Sequence, residues 1–236
     1  MGLVITISDL HLGQPFNLGA FKDFLADLRK RVHPDTLVLA GDILELAWMR
    51  WEDLKVQKLA MDALDELKAF ATGTITVLIP GNHDPNKKLD NLVEALSPIR
   101  RAGYLPEWRG EALELDRVVY THGHQFDSTT RFWDRLLRLP IKTLLPPLYI
   151  KLYGSPYEVK RAQREDYYNE LIWWVTGRAI QSAQKQNKGL VFGHTHFPVR
   201  IDLGNSLTVA NCGDLRDSWS YTEAKDGQVA LKFWRP

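Results

Sequence analysis

The chain has 236 residues, 44% of them hydrophobic and 25% charged, which is typical of a globular protein with a substantial buried core. The 30 Lys and Arg residues nearly balance the 29 Asp and Glu residues, so net charge predicts neither a nucleic-acid nor a membrane partner. No apolar run approaches the ~20 residues of a membrane-spanning helix, and the first residues lack the pattern of a signal peptide.

The chain contains a single cysteine, Cys212, which excludes an internal disulfide and suits a cytoplasmic protein. We expect this residue to be a small buried hydrophobe rather than a nucleophile.

In the first half, apolar runs alternate with amphipathic stretches. The periodicity predicts strands at residues 3–7, 36–40 and 74–80, and helices at 18–32, 55–71 and 90–96. The second helix would present Leu59, Ala63, Leu64 and Leu67 to the core. This strand–helix alternation predicts parallel pairing with helices on the faces of the sheet.

The second half contains short predicted strands and one long segment without strand character. The strands are predicted at 117–121, 190–192, 199–203, 206–210 and 228–233, with a hairpin turn at Gly204-Asn205. Residues from about 127 to 188 are predicted to be a helical insert within a single domain spanning 1–236. We expect Trp173 and Trp174 to pack this insert onto the rest of the domain.

Six of the seven histidines occur in short polar motifs, each of which follows a predicted strand. The motifs are Asp9-Leu10-His11, Gly41-Asp42, Gly81-Asn82-His83-Asp84, His122-Gly123-His124 and Gly193-His194-Thr195-His196. The ends of strands in an open α/β sheet form its ligand crevice, so these motifs are expected to converge.

The motifs combine carboxylate, amide and imidazole donors, which suit Mn, Fe or Zn better than Ca. In extended backbone, residues i and i+2 point the same way, so Asp9 with His11, or His194 with His196, would address one point. Burying so many polar groups together for packing alone would cost free energy. The sequence therefore predicts a metal site.

The ordered series of five motifs resembles the calcineurin-like metallophosphoesterases over residues 3–213. The resemblance implies an α/β fold of two packed mixed β-sheets flanked by helices, with a helical insertion. It also implies two divalent ions, Mn²⁺ foremost and Fe or Zn as alternatives. The first ion would bind Asp9, His11, Asp42 and His196, and the second would bind Asp42, Asn82, His122 and His194.

The resemblance implies hydrolysis of a phosphodiester or pyrophosphate bond by hydroxide activated between the two ions. His83 would act as the general acid, Asp84 would orient it, and His124 would lie on the phosphate side. Because only Asp9 and Asp42 among the implied ligands are anionic, the loaded site is expected to be net positive and to attract phosphate.

Within the family the chain is most similar to UDP-2,3-diacylglucosamine hydrolases, through residues 8–12 (Ser-Asp-Leu-His-Leu) and the long insert. Residues 128–164 contain eight basic and two acidic residues among many leucines, a composition suited to peripheral contact with the inner face of a membrane. Arg131, Arg135 and Lys142 are candidate headgroup contacts, and Trp48 is a candidate pocket residue.

Two departures keep other functions open. Those hydrolases usually have Gly-Asn-Arg-Asp and His-Gly-Asp where this chain has Gly-Asn-His-Asp and His-Gly-His. The main alternative is therefore a phosphodiesterase or phosphatase of nucleotides or other small phosphoesters. A nuclease is less favoured because the chain has only one local basic patch. An inactive metal-binding scaffold is the minor alternative, although no ligand position is lost.

Overall fold

The computed structural model describes residues 2–47, 49–84, 86–97, 99–108, 110–127 and 165–235. Thirteen strands lie in these ranges. They are β1 Val4–Ile7, β2 Thr36–Ala40, β3 Ile75–Ile79, β4 Arg100–Arg101, β5 Tyr104–Leu105, β6 Gly110–Glu111, β7 Leu113–Leu115, β8 Val118–Tyr120, β9 Gly189–Phe192, β10 Val199–Gly204, β11 Leu207–Asn211, β12 Ser220–Lys225 and β13 Gln228–Phe233.

The first sheet has the order β13-β12-β1-β2-β3-β4, and its strands β1 to β4 are parallel. β12 pairs antiparallel with β1, where Thr222 lies opposite Thr6, and β13 continues as a hairpin. The central strands are buried along nearly their whole length, which explains why they are continuous apolar runs rather than alternating ones.

The second sheet has the order β10-β11-β9-β8-β7. β8, β9 and β11 are parallel, and the two outer strands pair antiparallel to their neighbours. The turn between β10 and β11 lies at Asn205 and Ser206, whose φ angles are 50° and 60°. The predicted turn at Gly204-Asn205 was wrong by one residue, because Gly204 ends β10 and pairs with Leu207, which leaves Asn205 and Ser206 as the two turn residues.

Five α-helices are described: α1 Leu18–Arg31, α2 Trp51–Val56, α3 Lys58–Ala71, α4 Asn86–Ala95 and α5 Glu165–Gln186. The Asn17 side chain caps α1 by accepting a hydrogen bond from the Ala20 N–H at 3.0 Å. The predicted helix at 55–71 is two helices, separated at Gln57. Leu59 is 40% exposed, so its predicted core position was wrong, because the buried stripe is centred on Ala60 and Leu64.

The two sheets pack against each other through apolar side chains such as Val38, Ile79, Tyr120 and Val191. Helices α1 and α3 cover the outer face of the first sheet, and α5 covers the outer face of the second. The predicted α/β fold of two mixed sheets flanked by helices is confirmed. Helix α5 lies in the C-terminal part of the predicted insert, and residues 128–164 are outside the described residues.

Trp173 and Trp174 are 61% and 53% exposed, so the prediction that they pack α5 onto the domain was wrong. The helix instead buries its opposite face, through Val175, Ala179 and Ala183. Among the described residues, no helix has the length and hydropathy to cross a membrane.

Candidate metal centre

The five motifs lie together because they follow neighbouring parallel strands. Asp9 follows β1, Asp42 follows β2 and Asn82 follows β3, while His122 and His194 follow β8 and β9 of the second sheet. Backbone hydrogen bonds extend the pairing past the strands, from Asp9 N–H to Gly41 C=O at 3.0 Å and from Gly193 N–H to His122 C=O at 2.9 Å. The carboxyl edges of both sheets therefore form one crevice.

The loops that hold these side chains depart from extended backbone. Asp9, His11, Asp42, His194 and His196 have φ angles of 56°, 46°, 51°, 73° and 57°, in the left-handed region that non-glycine residues seldom adopt. The prediction that i and i+2 side chains share one direction was therefore wrong for His194 and His196, which point into different groups.

Two glycines are required by close approach to the site. A Cβ on Gly81 would lie 2.0 Å from Asp42 Oδ1, and a Cβ on Gly193 would lie 2.4 Å from Asp9 Oδ2. Both distances are shorter than any non-bonded contact, so a side chain at either position would displace a candidate ligand.

The first group of candidate ligands comprises Asp9, His11 and His196. His11 Nε2 lies 3.3 Å from His196 Nε2, and Asp9 Oδ1 lies 3.8 Å from His11 Nε2 and 3.5 Å from His196 Nε2. Asp9 Oδ1 is buried and has no hydrogen-bond partner among the described residues. A buried carboxylate oxygen needs a partner, and a cation at this point would provide one.

The second group comprises Asp42, His122 and His194, with Asn82 beside them. His122 Nε2 lies 3.2 Å from Asp42 Oδ2 and 3.2 Å from Asn82 Oδ1. His122 Nδ1 donates a hydrogen bond to the Ala40 carbonyl at 2.8 Å, so in the neutral ring Nε2 carries a lone pair. A lone pair that faces two oxygen acceptors requires a cation between them, either a proton or a metal ion.

Asp42 connects the two groups. Its Oδ1 accepts a hydrogen bond from the His83 N–H at 2.8 Å. Its Oδ2 lies 3.7 Å from His11 Nε2 and 3.2 Å from His122 Nε2. One carboxylate oxygen is therefore fixed by the backbone, and the other lies between the two histidines.

Each candidate ligand histidine also contacts an oxygen on the side away from the cluster. Besides the Ala40 carbonyl, the partners are Glu45 Oε2 at 2.9 Å from His11 Nδ1, Asp214 Oδ2 at 3.0 Å from His196 Nδ1 and Asp127 Oδ2 at 3.1 Å from His194 Nε2. Such outer carboxylates hold an imidazole in one orientation and increase its basicity.

These three acids were not predicted from the sequence. Asp214 lies just past β11, so the strand-end rule applied to that strand would have identified it. Asp127 follows the His-Gly-His motif, and Glu45 lies three residues after Asp42; neither had a separate signal. Three further carboxylates mean that the net positive site inferred from Asp9 and Asp42 alone was wrong.

The three predicted catalytic residues lie at the same crevice. His83 Nδ1 lies 2.5 Å from Glu45 Oε1. The His124 ring centroid lies 5.4 Å from that of His122 and 6.4 Å from that of His194. Asp84, in contrast, accepts backbone hydrogen bonds, which come from the N–H groups of Ile43, Leu44 and Gly81 at 3.2, 2.9 and 3.2 Å.

The prediction that Asp84 orients His83 was therefore wrong, because Glu45 holds the ring and Asp84 fixes the loops after β2 and β3. Burial, and then the charge of Asp42, raises the pKa of Asp84 to about 6.

The buried acids of the cluster stabilise positive charge on two of its histidines. Burial opposes a charged imidazole, yet Asp9 and Glu45 raise the pKa of His11 to about 10, and Asp42 raises that of His122 to about 9. Burial likewise opposes ionisation of Glu45, but His83 and His11 lower its pKa to about 2. Burial, against the influence of Asp127, lowers the pKa of His194. The acids thus stabilise positive charge at His11 and His122 but not at His194, and the oxygen and nitrogen donors fit two divalent cations.

Four predicted substrate contacts, Arg131, Arg135, Lys142 and Trp48, lie outside the described residues. Cys212 is fully buried, with Sγ 3.0 Å from Ser8 Oγ, and burial raises the pKa of its thiol to about 12. Its predicted role as a small buried residue is confirmed.

The sequence profile of a family described as calcineurin-like phosphoesterase matches residues 3–198, most of the chain and all five motifs. A solved structure similar to this chain is that of a dimetal phosphatase from Danio rerio, with 12% sequence identity and a TM-score of 0.49 over 98% of this chain and 95% of that chain. Among curated proteins, none matches. The chain therefore belongs to the calcineurin-like phosphoesterases, a family of hydrolases that depend on a dinuclear metal centre.

Proposed function

We propose that the chain hydrolyses a phosphodiester or pyrophosphate bond at a dinuclear metal centre built from the two groups of ligands. The observation that carries the proposal is the position of Asp42 Oδ2, 3.7 Å from His11 Nε2 and 3.2 Å from His122 Nε2, which suits a bridging carboxylate. One ion would be held by Asp9, His11, Asp42 and His196. The other would be held by Asp42, Asn82, His122 and His194.

When bound, two divalent cations would supply Lewis-acid activation of the phosphoryl oxygens and would acidify a water molecule for in-line attack. The mixture of carboxylate, amide and imidazole donors suits Mn²⁺, Fe or Zn, and we propose Mn²⁺ first because of the family resemblance. Asp9 Oδ1, which is buried and has no hydrogen-bond partner within the described part of the chain, and the inward lone pair of His122 support two separate cation positions.

The remaining polar residues have roles that do not require metal binding. His83 donates a proton to the leaving oxygen from Nε2, because its Nδ1 is held by Glu45 at 2.5 Å. Glu45 orients the ring through this contact, as the buried acid of a catalytic triad orients its histidine. His124 is the proposed contact for the phosphate, and the position of its ring beside those of His122 and His194 supports this role.

For the substrate, we propose UDP-2,3-diacylglucosamine as the first candidate. Residues 8–12 and the basic, leucine-rich composition of residues 128–164 support it. Arg131, Arg135, Lys142 and Trp48 are the proposed contacts. The proposal includes a cytoplasmic location at the inner face of a membrane.

The histidines of Gly-Asn-His-Asp and His-Gly-His favour the alternative, a phosphodiesterase or phosphatase of nucleotides or other small phosphoesters. These residues replace the arginine and aspartate usual in the lipid hydrolases.

The test is hydrolysis of UDP-2,3-diacylglucosamine and of bis(p-nitrophenyl) phosphate by metal-stripped protein, with and without Mn²⁺. Mn²⁺-dependent turnover strongly favouring the lipid supports the first candidate. Turnover of the aryl ester alone supports the dinuclear mechanism and rejects the lipid. An absence of metal-dependent turnover on both, and on nucleotide esters, would contradict the proposed function.

A further inference from the structure

Glu45 forms hydrogen bonds with two histidines of the site that belong to different sequence motifs. Its carboxylate is almost fully buried, with Oε1 accepting from His83 Nδ1 at 2.5 Å and Oε2 accepting from His11 Nδ1 at 2.9 Å. Oε2 also accepts a short hydrogen bond from Gln14 Nε2. One carboxylate thus orients both the proposed general acid and a proposed metal ligand, and Gln14 is its third donor.

The orientation of the Gln14 amide is set by Arg216. Arg216 Nη1 donates to Gln14 Oε1 at 2.9 Å, and Nη2 donates to the Pro15 carbonyl at 3.1 Å. A guanidinium has donors only, so the amide atom that faces it must be the oxygen. The NH₂ group is therefore directed at Glu45. If the amide turned over, its oxygen would face the Glu45 carboxylate, which is a repulsive contact.

Arg216 belongs to the loop between β11 and β12, which already contributes Asp214 to the site. Asp214 Oδ2 receives the hydrogen bond of His196 Nδ1, while its Oδ1 accepts from the N–H groups of Ser218 and Asp217 at 2.8 and 2.9 Å. The loop is therefore anchored, and burial lowers the pKa of Arg216 against the influence of Asp214 and Glu45. The guanidinium is thus attached to a loop that the hydrogen bonds of Asp214 hold in place.

We infer that Gln14 and Arg216 are positioning residues: they fix the rotation of the Glu45 carboxylate, and through it the ring orientations of His83 and His11. The inference rests on the proposed function for the role of His83. The β11–β12 loop then orients three histidines of the site. It holds His196 directly, and it holds His11 and His83 through the series of hydrogen bonds Arg216–Gln14–Glu45. Gln14 and Arg216, which are 202 positions apart in sequence, are joined by this hydrogen bond.

The test uses Arg216→Met, which keeps the length of the side chain and removes its donors, and Gln14→Glu, which places an oxygen against Glu45. Arg216→Lys is the conservative rescue, since it retains one donor for Gln14 Oε1. Arg200→Met is the matched control, because Arg200 also donates to a carbonyl, that of Val229 at 2.7 Å, but lies on the edge strand β10.

The first measurement is ¹⁵N–¹H NMR of histidine-labelled full-length protein at one fixed pH, before and after addition of diamagnetic Zn²⁺. We expect slowly exchanging Nδ1–H signals from His83 and His11 in the unmodified protein, in Arg200→Met and, weakened, in Arg216→Lys. In Arg216→Met and Gln14→Glu these signals should shift and exchange faster, while the melting temperature changes little. Unchanged imidazole signals in both variants would overturn the inference.

The second measurement compares Mn²⁺-dependent hydrolysis of bis(p-nitrophenyl) phosphate with that of an ester that has phenol as its leaving group. In Arg216→Met, kcat should fall about tenfold for phenol and much less for p-nitrophenol, with little change in KM, as expected for a displaced general acid. An equal loss on both esters would count against the inference. If the unmodified protein hydrolyses neither ester, the proposed function fails and the NMR result alone decides whether Gln14 and Arg216 hold the rings.

Discussion

His194 is oriented in the opposite sense to the other candidate ligand histidines, because its Nε2 lies 3.1 Å from Asp127 Oδ2. His11, His122 and His196 make their outer hydrogen bonds through Nδ1 and therefore direct Nε2 into the cluster. His194 must use Nδ1 there instead. His194 is consequently held in a different tautomer from His122, its neighbour in the second group, and from His11 and His196.

Replacing Asp127 with alanine should weaken metal binding, because it removes the partner that fixes His194. We expect affinity for Mn²⁺ to fall about 10- to 100-fold, measured by competition with a chelator. The same substitution should abolish the Nε2–H signal of His194 in ¹⁵N NMR. Asp65→Ala, at an exposed position of α3, is the control and should leave affinity unchanged. An unaltered affinity in Asp127→Ala would reject the orienting role.

Substituting Asp42 with asparagine should remove activity and reduce bound metal from two ions to one or none, because the amide cannot provide a bridging anionic oxygen. Elemental analysis of protein dialysed against Mn²⁺ measures the stoichiometry. Asparagine tolerates the φ of 51° at this position, so the fold should be retained. Two ions still bound in Asp42→Asn would contradict the bridging assignment.

His83→Ala should retain both metal ions and slow hydrolysis by ~10²–10⁴-fold, with the smallest loss for esters that have good leaving groups. The leaving oxygen of such an ester needs little protonation, so the loss should grow with the pKa of the leaving alcohol. A series of aryl esters provides the measurement. A loss of the same size on every ester would mean that His83 is not the general acid.

Gly81→Ala should destabilise the protein by about 1–3 kcal/mol or more and disturb metal binding, because the added Cβ would lie 2.0 Å from Asp42 Oδ1. Gly177→Ala is the matched control, since a Cβ at that position of α5 meets no atom within 4 Å. It should stabilise the helix by about 1 kcal/mol, or roughly 2–4 °C in melting temperature. Thermal unfolding followed by circular dichroism distinguishes the two, and equal melting temperatures would count against the steric argument.

Cys212 should resist thiol reagents in the folded protein at pH 8 and react at once in denaturant. Burial raises its thiol pKa to about 12, so below that pH the native side chain carries its proton as well as being inaccessible. Titration with a chromogenic disulfide measures this. Rapid reaction of the native protein would indicate that the β11–β12 loop opens.

The sequence predicted the sheets well because the central strands are buried on both faces and carry unbroken apolar runs. The motifs were found because they follow those strands. The outer partners were harder to recognise. Asp214 follows β11 and could have been found by the same rule. Glu45 and Asp127 act only through contacts that the folded loops create, and nothing in the sequence distinguishes them from solvent-exposed acids.

The failures at Trp173, Trp174 and Leu59 share one cause. Periodicity identifies which residues lie on one face of a helix, but the packing partner decides which face is buried. Helix α5 packs through the small residues Ala179 and Ala183, and its tryptophans remain outside. His194 and His196 were predicted to point the same way, as i and i+2 residues do in extended backbone, but their positive φ angles separate the two side chains.

The left-handed backbone at Asp9, His11, Asp42, His194 and His196 places conformational strain on the residues that would bind the metal ions. A non-glycine residue in this region costs roughly 1–2 kcal/mol relative to a glycine. Glycine has no side-chain donor, so at these positions an unstrained backbone and a metal ligand exclude each other. The candidate site therefore combines strained backbone with side-chain donors, as functional sites commonly do.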